Sequence, residues 1–193
     1  MPLEAYLCSR RQPKENNELI VNTPQQTFRA ALGQFFVKET STENLAAARS
    51  LIERSETAGA DLLVLPECII ARKLGMPEWG QKQAEPLDGP FVSGLREATR
   101  GRRVTVVCTV QAKIANESRY ANDLLVIQNG ELRLTYQKIH LYDAFRGKES
   151  RYAAPGDVLP PVLQIGPFKV GFLTCYDVRF PEMTRALACA GAT

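Results

Sequence analysis

An apolar run, an amphipathic stretch and a second apolar run follow one another early in the chain, and this order constrains the fold most. Residues 28–37 predict a strand, and Thr40-Ser-Thr-Glu43 predicts a capped helix that continues to about Ala58. Residues 61–66 then predict a fully buried strand. Because a strand, a helix and a strand in this order build parallel sheets, the sequence predicts an α/β fold.

The middle of the chain adds a hairpin to this unit. A loop, a short helix and a strand are predicted first, at residues 75–90, 91–100 and 104–110. Asn129-Gly130 then separates two predicted strands, residues 122–128 and 131–138. Both turn residues tolerate positive φ, which is typical of a type I′ turn. Antiparallel strands therefore join the predicted sheet.

The second hairpin strand alternates Leu132, Leu134, Tyr136 and Lys138. Alternate residues of a strand share one face, so the lysine is expected on the apolar face. A buried ammonium group is costly unless it is paired. We therefore expect a carboxylate or a thiolate close to Lys138.

The last third of the chain combines an irregular segment with a cysteine. Residues 139–161 are predicted to be irregular, and long loops of this kind usually line a site. Residues 162–165 and 169–175 predict a hairpin-like pair, and a helix beginning at Pro181 is expected to end before Gly191. Cys175 would then lie between a buried strand and a helix, where a nucleophile is rigid yet exposed. A buried structural thiol is the alternative.

Three chemically complementary groups are predicted at the ends of apolar strands: Glu67, Lys138 and Cys175. A thiolate can attack a carbonyl carbon, a carboxylate can move protons, and a lysine can stabilise an oxyanion. Each group alone has an ordinary structural explanation, such as a helix cap for Glu67. Their occurrence at equivalent positions predicts a catalytic site.

The motifs around these groups are specific. They are Asp61-Leu-Leu-Val-Leu-Pro-Glu67, the run Tyr136-Gln-Lys-Ile-His-Leu-Tyr-Asp-Ala-Phe145, and Gly171-Phe-Leu-Thr-Cys-Tyr-Asp-Val-Arg-Phe-Pro-Glu182. In order and spacing they resemble the nitrilase (carbon-nitrogen hydrolase) superfamily, from about Phe28 to the end of the chain. Within it the chain is most similar to the Nit-type branch that hydrolyses deaminated glutathione.

The resemblance implies a nitrilase-like four-layer α-β-β-α sandwich that forms a homodimer. It also implies a catalytic triad of Glu67, Lys138 and Cys175, with Glu149 as a second glutamate, although a surface position is the alternative for Glu149. The implied reaction cleaves a non-peptide amide bond through a cysteine thioester, with amides favoured over nitriles. The substrate would be an ω-amide that carries a carboxylate. The implied substrate-binding residues are Tyr142, Arg146, Arg151, Tyr176 and Arg179, with Tyr176 contributing a backbone N–H.

The resemblance also divides the chain. Residues 1–27 mix Pro, Asn, Gln and charge without periodicity and are expected to be a poorly ordered N-terminal extension. Residues 28–193 are expected to form the hydrolase domain. Relative to the family pattern, this domain is expected to be incomplete at its C-terminus.

Composition narrows the possible partners and compartment. A formal net charge of +3 and the lack of phosphate-binding glycine motifs argue against a nucleic-acid or nucleotide partner. Five cysteines without a C-x-x-C pair argue against a disulfide framework or a zinc site. No apolar run is long enough for a membrane span. We therefore expect a cytoplasmic enzyme that needs neither metal nor cofactor, acts on a small molecule and does not bind membranes.

Three other hypotheses compete with a working amidase. The first is a catalytically inactive product of a truncated gene. The second is a hydrolase in which Cys175 pairs with His140, the single histidine of the chain. The third is a non-enzymatic binding module, which an unreactive Cys175 would favour.

Overall fold

The computed structural model describes residues 27–145 and 147–193 of the 193-residue chain. The predicted N-terminal extension, residues 1–27, lies outside this described part except for Thr27. The described residues form four α-helices, a six-stranded sheet and a two-stranded sheet. This is the α/β fold that the sequence predicts.

The first unit is a strand, a helix and a strand with parallel pairing. Strand β1 (Ala30–Leu32) pairs with β2 (Leu62–Val64), and helix α1 (Ser41–Thr57) connects them. The strand predicted over residues 28–37 is therefore wrong beyond Leu32. The Gly33 N–H still donates to the Val64 carbonyl at 2.8 Å, but the next bond of this ladder would need an N–H at Pro66, which has none.

Helix α1 begins as the sequence predicts. The Thr40 hydroxyl accepts a hydrogen bond from the Glu43 N–H at 3.4 Å and donates to the Glu43 carboxylate at 2.6 Å. Ala48 and Ile52 on this helix are fully buried. The apolar face of α1 thus packs on the sheet, as the helical spacing indicates.

Two further helices precede the long strands. Helix α2 (Trp79–Gln83) lies inside the region predicted as a loop, so that prediction is wrong for these residues. The Trp79 indole N–H donates to the Glu39 carbonyl at 2.8 Å and ties this helix to the segment before α1. Helix α3 (Pro90–Thr99) lies close to the predicted position and begins with proline.

Three long antiparallel strands form most of the large sheet. Strand β3 (Thr105–Lys113) pairs with β4 (Tyr120–Gln128), which pairs with β5 (Glu131–Gln137), all antiparallel. Asn129 and Gly130 have φ values of 49° and 79°, so the predicted turn is confirmed. Strands β2 and β3 are parallel, which makes the sheet mixed.

A β-bulge modifies the predicted alternation along β5. The register shifts between Val126 and Ile127, so that Leu132 pairs with Ile127 while Leu134 pairs with Val126. Leu132 therefore packs on the helix side of the sheet, and the prediction that it shares a face with Leu134 is wrong. One extra residue in a strand exchanges the two faces beyond it.

The segment predicted to be irregular contains short ordered elements. A single 3₁₀ turn (Glu149–Arg151) precedes strand β6 (Ala153–Ala154), which pairs with the start of β4. Beyond it, β7 (Leu163–Ile165) and β8 (Phe168–Val170) form the separate two-stranded sheet. Residues 171–174 belong to no ladder among the described residues, so the prediction of a strand that continues to Cys175 is wrong.

The two faces of the large sheet are covered differently. Helices α1 and α3 pack on one face. The two-stranded sheet, Phe172 and helix α4 (Pro181–Cys189) cover the other. These layers agree with the expected α-β-β-α order. No helix of the described residues is both long enough and apolar enough to cross a membrane.

Asp123 provides a test of this arrangement. It is buried on β4 opposite Val110, on the helix side of the sheet, and burial raises its pKa to about 6. Its folded pKa thus exceeds the unfolded value of about 4, so its favourable contribution is complete below pH 4 and is lost as the pH rises through about 6. We expect Asp123→Asn to raise the free energy of unfolding by about 2 kcal/mol at pH 8. At pH 4 we expect little change, and urea unfolding at the two pH values measures the difference. An equal change in the free energy of unfolding at pH 4 and pH 8 would contradict a raised pKa for Asp123.

Candidate active site

Lys138 lies at the centre of the site, directly after β5. Its side chain is 2% exposed, and its Nζ atom lies 3.0 Å from Glu67 Oε1 and 2.9 Å from Glu149 Oε2. The expected partner of the buried lysine is therefore a pair of carboxylates. Burial lowers the pKa of Lys138, but the two glutamates raise it by more, so that it lies above its ordinary value. The lysine is a permanent cation at neutral pH.

Glu67 follows β2 in a segment that runs beside β3, where the N–H groups of Leu65 and Ile69 donate to the carbonyls of Val107 and Thr109. Its side chain is about one-third exposed, in contrast to that of Glu149, which is 16% exposed. Glu149 also accepts a hydrogen bond from the Tyr142 N–H at 2.7 Å. The surface position considered for Glu149 is therefore wrong, because this carboxylate faces the lysine.

Cys175 is exposed and has an unusual backbone conformation. Its φ angle is 47°, in the left-handed region that glycine prefers. It begins a 3₁₀ turn (Cys175–Arg179) that leads into α4. In place of the predicted strand and helix, an extended segment precedes Cys175 and a tight turn begins at it. The thiol is nevertheless exposed, and it lies between these two segments.

The surroundings of Cys175 favour the neutral form of its thiol. Burial raises the pKa of Cys175, Glu67 raises it further, and Lys138 opposes this only in part. Glu67 contributes through a hydrogen bond from the thiol as well as through its charge. The arrangement therefore favours a neutral thiol beside a carboxylate over a preformed thiolate beside a cation.

A buried carboxylate joins the lysine segment to the cysteine turn. Asp177 is 0% exposed, and its Oδ1 accepts the His140 N–H at 3.0 Å and lies 2.8 Å from the His140 ring Nδ1. Its Oδ2 accepts the Tyr136 hydroxyl at 2.8 Å and the Thr174 N–H at 3.0 Å. These bonds fix the position of Cys175 relative to Lys138.

The same contacts bear on the hypothesis of a cysteine–histidine pair. Asp177 is an orienting group for His140, which the sequence alone does not indicate. However, His140 stacks on Phe180 at 3.6 Å between ring centroids and does not line the cavity that contains Cys175. The groups that act on the thiol are Glu67, Lys138 and Glu149. The geometry favours a structural role for the histidine.

A cavity of about 620 Å³ adjoins the thiol. Of the predicted site residues, it is lined by Glu67, Lys138, Tyr142, Glu149, Arg151 and Cys175. Tyr176 and Arg179 do not line it, although the Tyr176 ring contacts that of Tyr142 edge-on at 5.1 Å. Arg146 lies outside the described residues. The described residues contain no cluster of three or more His, Cys, Asp or Glu side chains suited to a metal ion.

Sequence reasoning missed several residues of the site. Asn122 on β4 donates from Nδ2 to Glu67 and Glu149, and Arg72 and Lys148 add positive charge to the cavity wall. The alternation of β4 places Asn122 on the same face as Leu124. An amide among apolar residues on one strand face is visible in the sequence and could have indicated a site residue. Nothing in the local pattern marks Arg72 or Lys148.

Comparison with known proteins identifies the family. The family model described as carbon-nitrogen hydrolase matches residues 29–193. The chain belongs to the carbon-nitrogen hydrolase family.

Its relatives within this carbon-nitrogen hydrolase family include amidases. A deaminated glutathione amidase of Escherichia coli O157:H7 is 36% identical over 162 residues, which cover 84% of this chain and 62% of that protein. An (R)-stereoselective amidase of Pseudomonas sp is 36% identical over 146 residues, covering 75% and 50% respectively.

Solved structures agree with these relatives. An amidase from Nesterenkonia sp. AN1, which carries acrylamide at its active-site cysteine, has a TM-score of 0.74 at 30% identity and covers 86% of this chain and 65% of its own. This chain thus spans less than two thirds of the length of each of these three proteins.

Asp177 provides a test of the link between the two segments. In Asp177→Asn, an NH₂ group would face donors whose hydrogen bonds the carboxylate now accepts. We therefore expect the free energy of unfolding to fall by about 3 kcal/mol. Urea unfolding measures this loss. The matched control is Asp157→Asn at an exposed aspartate, which should change stability by less than about 0.5 kcal/mol. Equal stability of the two variants would contradict a structural role for Asp177.

Proposed function

We propose that this carbon-nitrogen hydrolase cleaves the C–N bond of a small non-peptide amide through a thioester on Cys175. The observation that carries the proposal is the convergence of the Cys175 thiol, the Glu67 carboxylate and the buried Lys138 ammonium at one cavity. Amidases among the relatives and structural neighbours support it. Glu67, Lys138 and Cys175 form the catalytic triad, and Glu149 lies beside it as a second carboxylate.

The first half of the reaction forms the thioester. Glu67 accepts the proton of the Cys175 thiol while sulfur attacks the amide carbon. The carbonyl oxygen becomes an oxyanion, which the Lys138 ammonium and the backbone N–H of Tyr176 stabilise. The protonated Glu67 then delivers its proton to the leaving nitrogen, and ammonia departs as the C–N bond breaks.

The second half regenerates the enzyme. Glu67 accepts a proton from water while the water oxygen attacks the thioester carbon. The tetrahedral intermediate collapses, the C–S bond breaks, and the proton on Glu67 returns to sulfur. The products are a carboxylic acid and the free thiol. The raised pKa of Cys175 explains why a base is needed, since the thiol does not ionise by itself at neutral pH.

Glu149 supports this cycle without a place in the proton transfer. It accepts two hydrogen bonds from Lys138, at 3.1 and 2.9 Å, and thereby fixes the direction of the ammonium group. Its negative charge also keeps Lys138 protonated. A charged donor held in place before the reaction begins contributes most to stabilising an oxyanion.

The substrate class follows from the charge of the cavity wall. Arg72, Lys148 and Arg151 line the cavity. These cations suit an ω-amide that carries a carboxylate, such as α-ketoglutaramate or deaminated glutathione. The name of the Escherichia coli relative supports the same class. We propose an amide in preference to a nitrile, and a homodimer in the cytoplasm, by analogy with the family.

Substitution of the triad tests the reaction. We expect Cys175→Ala to abolish release of ammonia from α-ketoglutaramate or deaminated glutathione, because the attacking sulfur is removed. Burial raises the pKa of Cys68, the other thiol of the cavity wall, to about 12, which makes it a poor substitute. Glu67→Gln keeps the shape but cannot accept the proton, so kcat should fall by about 10² to 10⁴. An ammonia assay with far-UV circular dichroism as a folding control separates loss of chemistry from loss of fold. Amide hydrolysis at the wild-type rate by either variant would refute the mechanism.

An absence of activity in the wild-type chain would favour the hypothesis of an inactive product. Slow alkylation by iodoacetamide at neutral pH would not by itself favour a binding module, since a protonated thiol is expected in the enzyme as well. Alkylation that accelerates with pH at Cys175, followed by mass spectrometry of its peptide, is the expected behaviour of the proposed site.

Substrate recognition is tested at Arg151. Arg151→Ala removes the guanidinium and should raise KM for the anionic ω-amide by about tenfold, as expected for the loss of one charged hydrogen bond. The value of kcat should change little. The matched variant is Arg179→Ala, which removes an exposed arginine outside the cavity wall and should leave KM within about twofold. Propionamide, which has no carboxylate, should show no response to Arg151→Ala. An equal rise in KM for both amides would contradict recognition of a carboxylate.

A further inference from the structure

Asn122 is the neutral member of a cluster of charged groups. Its side chain is completely buried on β4, and one atom, Nδ2, donates to Glu67 Oε1 at 2.8 Å and to Glu149 Oε1 at 3.2 Å. The other end of the amide, Oδ1, is buried without a hydrogen-bond partner among the described residues. The sheet therefore tolerates an unsatisfied acceptor in order to hold this donor between two carboxylates.

The charges of the cluster do not balance, and Asn122 adds none. One ammonium, Lys138, faces two carboxylates, Glu67 and Glu149, so one negative charge is uncompensated. Two carboxylates that share a partly buried site repel each other, and one of them then binds a proton more readily. A shared N–H donor opposes this without adding a charge, because it stabilises the ionised form of both.

Asn122 also determines which oxygen of Glu67 is available. Asn122 and Lys138 both donate to the same oxygen, Oε1. The second oxygen, Oε2, accepts from neither of these two donors, so we expect the thiol of Cys175 to give its proton to Oε2. A base with one oxygen anchored and one oxygen free has a defined direction of proton transfer.

Other titratable groups around the cluster do not supply the missing compensation. Burial raises the pKa of Cys68 to about 12 and raises that of Tyr120 well above its ordinary value, so both are neutral at pH 7. The surroundings of Cys175 also favour its neutral form. Lys148 and Arg151 line the cavity, and neither forms an ion pair with Glu67 or Glu149.

We propose that Asn122 is a positioning residue that holds Glu67 and Glu149 ionised side by side, and so sets the lower pH limit at which Glu67 can accept the Cys175 proton. This inference rests on the function proposed above. Asn122 would touch neither the substrate nor the sulfur, and it acts through Glu67.

The test compares Asn122→Leu with the matched control Asn44→Leu. Asn44 is also buried, but it bonds only to backbone groups, those of Lys38 and Ile70. Both variants lose buried hydrogen bonds and stability, whereas only Asn122→Leu removes a donor from the carboxylates. Two measurements are made: the pH profile of kcat/KM for ammonia release, and the pH dependence of Cys175 alkylation by iodoacetamide, followed on its peptide by mass spectrometry.

For Asn122→Leu we expect the acid limb of both profiles to move up by about one pH unit. We also expect kcat/KM at pH 7 to fall by about 10- to 100-fold, as for a lost hydrogen bond to a charged group. Asn44→Leu should keep the wild-type midpoints. Midpoints of Asn122→Leu that match wild type, or an equal shift in Asn44→Leu, would overturn the inference.

A second variant covers a failure of Asn122→Leu to fold. Asn122→Ser is smaller and too short to bridge both carboxylates, so its midpoint should also rise, and an unshifted midpoint would overturn the inference. The two proposals are separable. If the wild-type chain releases no ammonia, the proposed function fails, and the alkylation profiles alone decide the role of Asn122.

Discussion

Burial of one ammonium group governs the organisation of this structure. Transfer of Lys138 out of water costs several kcal/mol, and only close carboxylates with good geometry offset that cost. Glu67 comes from the segment after β2, and Glu149 comes from a turn after β5, so the lysine draws separate parts of the chain to one point. Loss of one partner would leave an uncompensated charge. The site is therefore part of what holds the fold together at this edge of the sheet.

Local sequence patterns predicted those features whose cause is local. The Asn129-Gly130 turn, the start of α1 at Thr40 and the proline that begins α4 depend on a few adjacent residues. Lys138 could be inferred because strand alternation put a charge on an apolar face, and this in turn predicted a carboxylate or thiolate partner. The resemblance of three motifs to a known family then supplied Glu149.

Features with a distant cause were not predictable in this way. The bulge beside Val126 has no local marker, and it changed the face of Leu132. The end of β1 depends on Pro66, which is remote in sequence but adjacent in the ladder. Asp177 was not recognised as a link between segments because its partners arrive from across the fold. Pairings of this kind need a structure, since the sequence separates the partners.

The backbone at Cys175 carries a further consequence. A φ of 47° costs a residue with a Cβ atom about 1 kcal/mol or more, whereas glycine adopts it freely. The chain therefore places the Cys175 thiol at a position where glycine would relieve the backbone strain. A thiol at this position thus costs the fold some stability that a residue without a Cβ atom would recover.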